Sequence, residues 1–194
     1  MTLRQILAIA MLGLTAPALG GCVSMAVGAV ATGGVAVAEE RSVGTQVDDF
    51  TIKVALNEKL FSYDEQLFQD VSIDVTEGRV LLTGKVLEPD DRVDAVRLAW
   101  QVEGVKEVIN ELQVTDTGGI ESYLTDVRIS NELRADLLFD SEVSSINYNV
   151  ETVGGIVYLT GIAQNQVELD RVVDHARTIA GVKEVISHVR IKSS

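Results

Sequence analysis

The hydrophobic pattern changes from helical to strand-like between residues 50 and 86. Over 50–60, large apolar residues recur every four positions, as on the buried face of a helix. These positions are Ile52, Leu56 and Leu60. Apolar and polar residues then alternate over 71–75, and a second apolar stretch covers 79–86 after Glu77-Gly78. The pattern predicts a helix followed by a β-hairpin with Glu77-Gly78 at its turn.

A second helix and a third strand follow this hairpin. Helical spacing returns over 91–102, after Pro89 and Asp90-Asp91, residue types that favour a helix start. Gly104 favours the end of that helix, and 105–114 is predicted as a strand. The order of elements over residues 46–115 is therefore helix, strand, strand, helix, strand.

The whole pattern occurs again 77 residues further along the chain. The hexapeptide Gly-Val-Lys-Glu-Val-Ile at 104–109 returns unchanged at 181–186. The apolar trio of the first helix returns as Ile129, Leu133 and Leu137. A repeat of this length indicates two copies of one structural unit. The second copy, over 120–192, is separated from the first by a short hinge, Thr117-Gly118-Gly119.

The repeat fixes the predicted elements of the second copy and the fold class. Helices are expected at 123–138 and 165–179, a hairpin at 145–162 with Gly154-Gly155 at its turn, and a last strand at 182–191. The predicted fold is α+β, with two tandem αββαβ modules. Each module is expected to be a three-stranded sheet covered by two helices.

Charge argues against one class of partner. The formal net charge is −13. Residues 46–114 hold 15 acidic and 7 basic side chains, and residues 120–194 hold 11 and 7, so both copies are acidic. An acidic surface repels a phosphate backbone, and nucleic-acid binding is therefore disfavoured.

The start of the chain predicts export and lipidation. Arg4 precedes an apolar run that ends at Leu19-Gly20-Gly21-Cys22, a pattern typical of a signal peptide over 1–21. The tetrapeptide resembles the lipobox of bacterial lipoproteins, in which the cysteine is cut free and acylated. Cys22 is the only cysteine, so it has no partner for an intramolecular disulfide. The alternative is a free cysteine in an uncleaved membrane helix. Residues 22–45 are small and are expected to form a flexible tether.

The modules resemble the BON domain in their element order and in the Gly-Val-x-x-Val entry to each last strand. Two such modules behind a lipobox, joined to it by RSVGTQVDD at 41–49, resemble the dual-BON-domain lipoproteins of the Gram-negative outer membrane. That resemblance implies binding of anionic phospholipids such as phosphatidylglycerol and cardiolipin, and support of envelope integrity. Val23 stands where an aspartate would imply inner-membrane retention. The implied location is the periplasmic leaflet of the outer membrane.

The resemblance also implies a lipid-binding surface on the first helix of the second module. There Arg134 keeps the family's arginine, and Tyr123 and Leu124 lie one turn before Arg128, where they can replace an apolar anchor. Our hypothesis is that Arg128, Arg134, Tyr123 and Leu124 contact lipid headgroups. Arg128 occupies the position of the family's aromatic anchor, and Glu132 replaces a lysine. Acidic residues on the same helix would repel anionic lipid; they are Asp126, Glu132 and Asp136. The alternative is therefore a solvated helix face.

Differences between the copies predict a second surface. Val93, Leu98 and Trp100 are apolar where the second copy has Asp170, His175 and Arg177. A helix that is apolar almost all round is covered on more than one side. We therefore predict that the Trp100 helix docks on the other module, over Ile156 and Tyr158, or on a protein partner. The alternative is that its own module covers Trp100.

No residue pattern indicates catalysis, a cofactor or a metal site. His175 and His188 have no cysteine or second histidine at metal-ligand spacing. Asp48-Asp49 and Asp90-Asp91 are interpreted as helix caps. The protein is therefore not expected to be an enzyme. Besides phospholipid binding, the alternative function is a periplasmic adaptor for an envelope-assembly or peptidoglycan-remodelling partner.

Overall fold

The computed structural model describes residues 43–115 and 119–193, which belong to one compact unit. The signal peptide at 1–21, Cys22, most of the tether and Thr117-Gly118 of the hinge lie outside the described residues. Among the residues described, no helix combines the length and the apolar character needed to cross a membrane.

The first module, here called domain 1, confirms the predicted order of elements and adds one short helix. Its elements are α1 (Val43–Tyr63), α2 (Glu65–Asp70), β1 (Val71–Thr76), β2 (Arg79–Val86), α3 (Pro89–Ala99) and β3 (Glu107–Val114). The sequence pattern did not predict α2. Its N-cap is Asp64, whose carboxylate accepts a hydrogen bond from the Leu67 N–H at 2.8 Å.

Two predicted helix boundaries in domain 1 are wrong. Helix α1 begins at Val43, so most of the predicted linker at 41–49 is helical, and Asp48-Asp49 lie inside the helix rather than at its cap. Helix α3 ends at Ala99, and a short turn rather than helix leads to Gly104. At the start of α3, Asp91 accepts a hydrogen bond from the Glu88 N–H at 3.3 Å, so this aspartate does act as a cap partner.

The second module, domain 2, repeats the order with two local changes. Its elements are α4 (Ile120–Phe139), a 3₁₀ turn (Ser145–Asn147), β4 (Tyr148–Val153), β5 (Ile156–Ala163), α5 (Gln166–Thr178), β6 (Glu184–Ser187) and β7 (Arg190–Ile191). The 3₁₀ turn stands where domain 1 has α2. The predicted last strand is interrupted between β6 and β7, although the His188 N–H still donates to the Leu159 carbonyl at 2.8 Å.

Each sheet buries one face under its helices. Strand β2 is central, antiparallel to β1 and parallel to β3, and β5 takes the same place in domain 2. The repeated trio of the first helix is fully buried in each core: Ile52, Leu56 and Leu60 in domain 1, and Ile129, Leu133 and Leu137 in domain 2. The fold class predicted from the repeat is confirmed.

The two sheets pack against each other through the faces that the helices leave open. The apolar centre of this contact is Leu81 on β2 with Val153 and Tyr158 of domain 2. Tyr158 is only 2 % exposed, and partly buried Ile156 packs beside it. The result is four layers: helices, sheet, sheet, helices.

The polar contacts across this interface indicate that an approximate twofold axis relates the two domains. Glu111 Oε1 lies 2.9 Å from His188 Nε2, and these two residues are 77 apart, at equivalent positions of the repeat. A residue that contacts its own equivalent lies near a twofold axis. On one side of this pair, Asp74 on β1 accepts hydrogen bonds from Asn149 on β4, at 3.1 Å, and from Thr160 on β5.

The predicted docking of the Trp100 helix on the other domain is wrong. Trp100 is 54 % exposed and Val93 is also exposed, whereas Leu98 is buried in the core of domain 1. The sheet of domain 1, and not the Trp100 helix, covers Tyr158. The sequence comparison detected that domain 1 has extra apolar surface on α3, but it did not show which face of the domain meets its partner.

Candidate functional site

Exposed apolar side chains cluster on the first two turns of α4. Ile120, Tyr123 and Leu124 are 77 %, 66 % and 59 % exposed. The core contacts of Ile129, Leu133 and Leu137 fix the rotation of the helix and turn these three side chains towards solvent. We call Ile120, Tyr123 and Leu124 the α4 apolar patch. The structure thus places the two predicted apolar contacts, Tyr123 and Leu124, side by side and adds Ile120.

The two predicted cationic contacts on α4 are engaged within the chain. Arg128 forms an ion pair with Glu132 at 2.6 Å and donates to the Ala180 carbonyl, yet about half of its side chain remains exposed. Arg134 donates to the Val150 carbonyl on β4 and to Asn131 at 3.4 Å. Arg128 therefore lies near the α4 apolar patch, one turn away, while Arg134 lies at the edge of β4.

A third cation reaches the first turn of α4 from the other domain. Lys85 at the end of β2 donates a hydrogen bond to the Ser122 hydroxyl at 3.0 Å. Together with Lys183, it lines a cavity of about 560 Å³ beside the start of α4, which Glu121 also lines. No sequence pattern on α4 could identify Lys85, because only the packing of the domains brings β2 next to this helix.

One of the acidic residues expected to repel lipid has a structural role instead. Asp126 is buried, and its carboxylate accepts hydrogen bonds from the Gly154 and Gly155 N–H groups, both at 2.8 Å. The equivalent Asp49 accepts from the N–H groups of Glu77 and Gly78, also at 2.8 Å. These carboxylates hold the hairpin turns. The predicted capping role of Asp49 is therefore wrong, and Asp126 does not face the surface.

A polar groove runs between the domains beside α4. It is lined by Lys53 of α1 and Arg134 of α4, and by the facing edges of β1 and β4. Glu151 on β4 also lines it, and burial raises the pKa of this carboxyl, while the nearby Arg134 and Lys53 act in the opposite direction. The groove therefore contains both signs of charge.

Each histidine ring lies within hydrogen-bond distance of a carboxylate rather than in a cluster of ligands. His175 Nε2 is 2.7 Å from Asp140, which also pairs with Arg171 at 3.0 Å. The hydrogen bond from His175 is the main cause that lowers the pKa of Asp140. Within residues 43–115 and 119–193, no three His, Cys, Asp or Glu side chains are grouped so that they could hold a metal ion.

Comparisons with known proteins agree with this architecture. The family model of the BON domain matches residues 48–116 and 125–193. The chain is 44 % identical over 149 residues to "Uncharacterized protein in gshII 5'region" of Anaplasma centrale, covering 76 % of this chain and 97 % of the relative. It is 32 % identical to "Outer membrane lipoprotein DolP" of Haemophilus influenzae, covering 87 % of each. It is 33 % identical to "Osmotically-inducible protein Y" of Escherichia coli, covering 77 % of this chain and 76 % of that protein. The resemblance predicted from the sequence is confirmed.

Proposed function

This chain belongs to the BON-domain family, and we propose that it is a lipid-anchored protein of the outer membrane that faces the periplasm, binds anionic phospholipid headgroups and supports envelope integrity. Its anchor is the acylated Cys22. It acts by binding and not by catalysis. The outer-membrane lipoprotein of Haemophilus influenzae, similar over 87 % of both chains, supports the location.

The observation that carries the proposal is the α4 apolar patch with cations at its margin. Aromatic and aliphatic side chains that project from the end of a helix can enter the headgroup layer of a bilayer. About half of the Arg128 side chain stays exposed one turn further along α4, and Lys85 lies at the first turn of that helix. Guanidinium and ammonium groups both bind phosphate. The patch supplies apolar insertion, and the two cations favour an anionic headgroup.

The proposal is tested by vesicle flotation of the fragment 33–194, the compact unit that contains both cores. The double variant Tyr123→Ser/Leu124→Ser is expected to bind vesicles of phosphatidylcholine mixed with phosphatidylglycerol about tenfold more weakly, since it removes two large apolar contacts. The matched control is Val93→Ser/Trp100→Ser, which removes two similarly exposed apolar side chains from α3. It should bind like the unaltered fragment.

The cationic part of the site has a separate test. Arg128→Gln should reduce the preference for vesicles with phosphatidylglycerol over vesicles of phosphatidylcholine alone, and added salt should reduce it further. Equal binding of the unaltered fragment to both kinds of vesicle contradicts the proposal of anionic headgroups. Equal losses in the patch variant and in its control contradict the placement of the site on α4.

The second candidate function, a protein–protein adaptor, is favoured by the α3 surface of domain 1. Leu87, Val93 and Trp100 are exposed there, where domain 2 has polar Gln164, Asp170 and Arg177. Exposed aromatic and apolar groups of this kind are typical of protein contacts. Photo-crosslinking in intact cells from position 100, compared with position 177, tests it. A crosslinked protein partner specific to position 100 supports the adaptor, and identical products from both positions contradict it.

A further inference from the structure

The first helix of domain 1 carries an exposed apolar stripe of its own. Its members are Val47, Phe50 and Val54, and Phe50 is 69 % exposed. Their spacing of three and four residues puts them on one face of α1, over about 10 Å of its length. The equivalent residues of α4 are Leu124, Val127 and Asn131, so the first helices of both domains are apolar on the same face near their start. We call Val47, Phe50 and Val54 the α1 stripe.

The α1 stripe and the α4 apolar patch lie along the same edge of the molecule. Helix α1 packs on β1 and α4 packs on β4, and these strands are neighbours, joined by the Asp74–Asn149 hydrogen bond. The groove between them is lined by Lys53 of α1 and Arg134 of α4. Both first helices therefore border one groove, from opposite sides.

The helical positions then show where the apolar residues point. Phe50 precedes Lys53 by three residues, a rotation of about 60° around α1. On α4, Val127 precedes Arg134 by seven residues, a rotation of about 20°. Phe50 and Val127 are therefore exposed apolar residues of the two first helices that lie close in rotation to the cations of the groove.

From this arrangement we infer that the α1 stripe is a second membrane-contact surface, so that the protein rests on the bilayer with the first helix of each domain. The occupant is the lipid surface that holds the anchor. Helix α1 is the first helix after Cys22 in the part of the chain that the structure describes, and 20 residues separate Cys22 from Val43. Their greatest reach is about 70 Å, which sets the upper limit on the distance between α1 and the anchor. The inference rests on the proposed anchoring at Cys22.

The charges around the α1 stripe define the kind of contact. Lys53 and Arg134 line the groove, but Asp74 and Glu151 line it as well, so its charges balance. Glu58 also lies on the exposed side of α1. The contact of the α1 stripe is therefore apolar insertion, which does not require anionic lipid. In this respect it differs from the α4 apolar patch, where Arg128 and Lys85 favour an anionic headgroup.

The test is the depth of spin labels on the whole mature chain, purified from membranes with its anchor and reconstituted into vesicles. Labels are attached to Phe50→Cys on α1, Tyr123→Cys on α4 and Trp100→Cys on α3, three exposed positions. In vesicles of phosphatidylcholine with or without phosphatidylglycerol, the label at 50 should collide with a water-soluble relaxation agent several-fold less often than the label at 100. The label at 123 should be protected in the same way when phosphatidylglycerol is present.

The outcomes separate this inference from the proposed function. A label at 50 as accessible to water as the label at 100, with 123 protected, overturns the inference and leaves the α4 site intact. A protected label at 50 with an accessible label at 123 supports the α1 stripe and contradicts the α4 site. All three labels equally accessible overturn both. A label at position 50 in a chain that also carries Val47→Ser/Val54→Ser should become accessible to the water-soluble relaxation agent, because the neighbouring apolar contacts are gone.

Discussion

The two domains have nearly the same backbone but different surfaces. At positions 77 residues apart, Asp49 and Asp126 hold the hairpin turns with the same pair of hydrogen bonds at 2.8 Å. On α3 and α5, by contrast, exposed Val93 and Trp100 correspond to Asp170 and Arg177. The repeat is therefore kept where backbone geometry depends on a side chain, and it varies where a side chain meets solvent or a partner.

One corner of the domains shows an intermediate case, in which the contact is kept and the carboxylate lies on the other helix end. In domain 1, Tyr63 donates to Asp94, which also pairs with Arg97 at 2.8 Å. At the equivalent positions, Asp140 pairs with Arg171 at 3.0 Å. The end of the first helix is thus tied to the second helix in both domains. The packing at this corner is kept by a polar contact between the two helices, but which of the two helices supplies the carboxylate differs between the domains.

The largest effect is expected at the glycines of β2 and β5 that pair with the first residues of β1 and β4. Gly84 and Gly161 have φ near +130°, and a Cβ there would lie 2.0 Å and 1.9 Å from the carbonyl oxygens of Asp70 and Asn147. Gly84→Ala and Gly161→Ala should each lower the free energy of unfolding by more than about 4 kcal/mol. Urea unfolding followed by circular dichroism measures this. Gly119→Ala, which meets open space, is the control and should change it by less than about 0.5 kcal/mol. Clearly unequal losses at 84 and 161 would contradict the equivalence of the two hairpins.

The interface between the domains gives the next largest effect. Tyr158→Ala removes a buried ring from the contact with Leu81 and should cost about 3 kcal/mol. Because the ring joins two cores, the variant is expected to unfold in two separate transitions. Tyr158→Phe keeps the ring and loses only the 3.3 Å hydrogen bond with Gln113, so its cost should be about 1 kcal/mol. Calorimetry that shows one undivided transition for Tyr158→Ala would contradict the role of this ring in coupling the domains.

The turn carboxylates should have smaller and equal effects. Asp49→Ala and Asp126→Ala each leave two turn N–H groups without their charged acceptor, and we expect a loss of about 2 kcal/mol in each case. Asp174→Ala removes an exposed carboxylate and should have almost no effect. Chemical denaturation compares the three. Losses like that of Asp174→Ala would mean that the turns do not depend on these carboxylates.

The smallest effect is a dependence on pH at the corner of domain 2. The pKa of Asp140 is lowered by its hydrogen bond with His175, so its ionised form stabilises the fold at pH values above the ordinary aspartate pKa of about 4. This stabilisation is lost as the pH falls through the lower pKa of the folded state. Asp140→Asn should therefore be less stable than the unaltered protein at neutral pH, and the difference should disappear in acid. Thermal unfolding from pH 7 to acid measures the difference in stability between Asp140→Asn and the unaltered protein. A difference that stays constant over this pH range would contradict the assignment.

The repeat allowed most of the elements to be predicted, but not their exact ends. Helix α1 begins at Val43, well before its first buried apolar residue, Ile52, so the periodicity of buried positions could not locate its start. The local pattern of apolar residues also did not predict α2, which depends on the cap at Asp64 and on burial of Leu67. At the candidate site, Tyr123 and Leu124 were predictable because they lie on one helix, whereas Lys85 comes from another domain.

The sequence by itself determined the two-copy αββαβ fold, since the spacing of apolar positions and their recurrence after 77 residues can be read directly along the chain. Only the tertiary structure decided which faces meet. The sheets pack back to back around Tyr158, and Trp100 is left exposed, because apolar surface on α3 and apolar surface on the sheet look alike in sequence. The same packing brings α1 and α4 to one edge of the molecule. Contacts between residues far apart in the chain depend on how whole surfaces fit, and no local spacing encodes that fit.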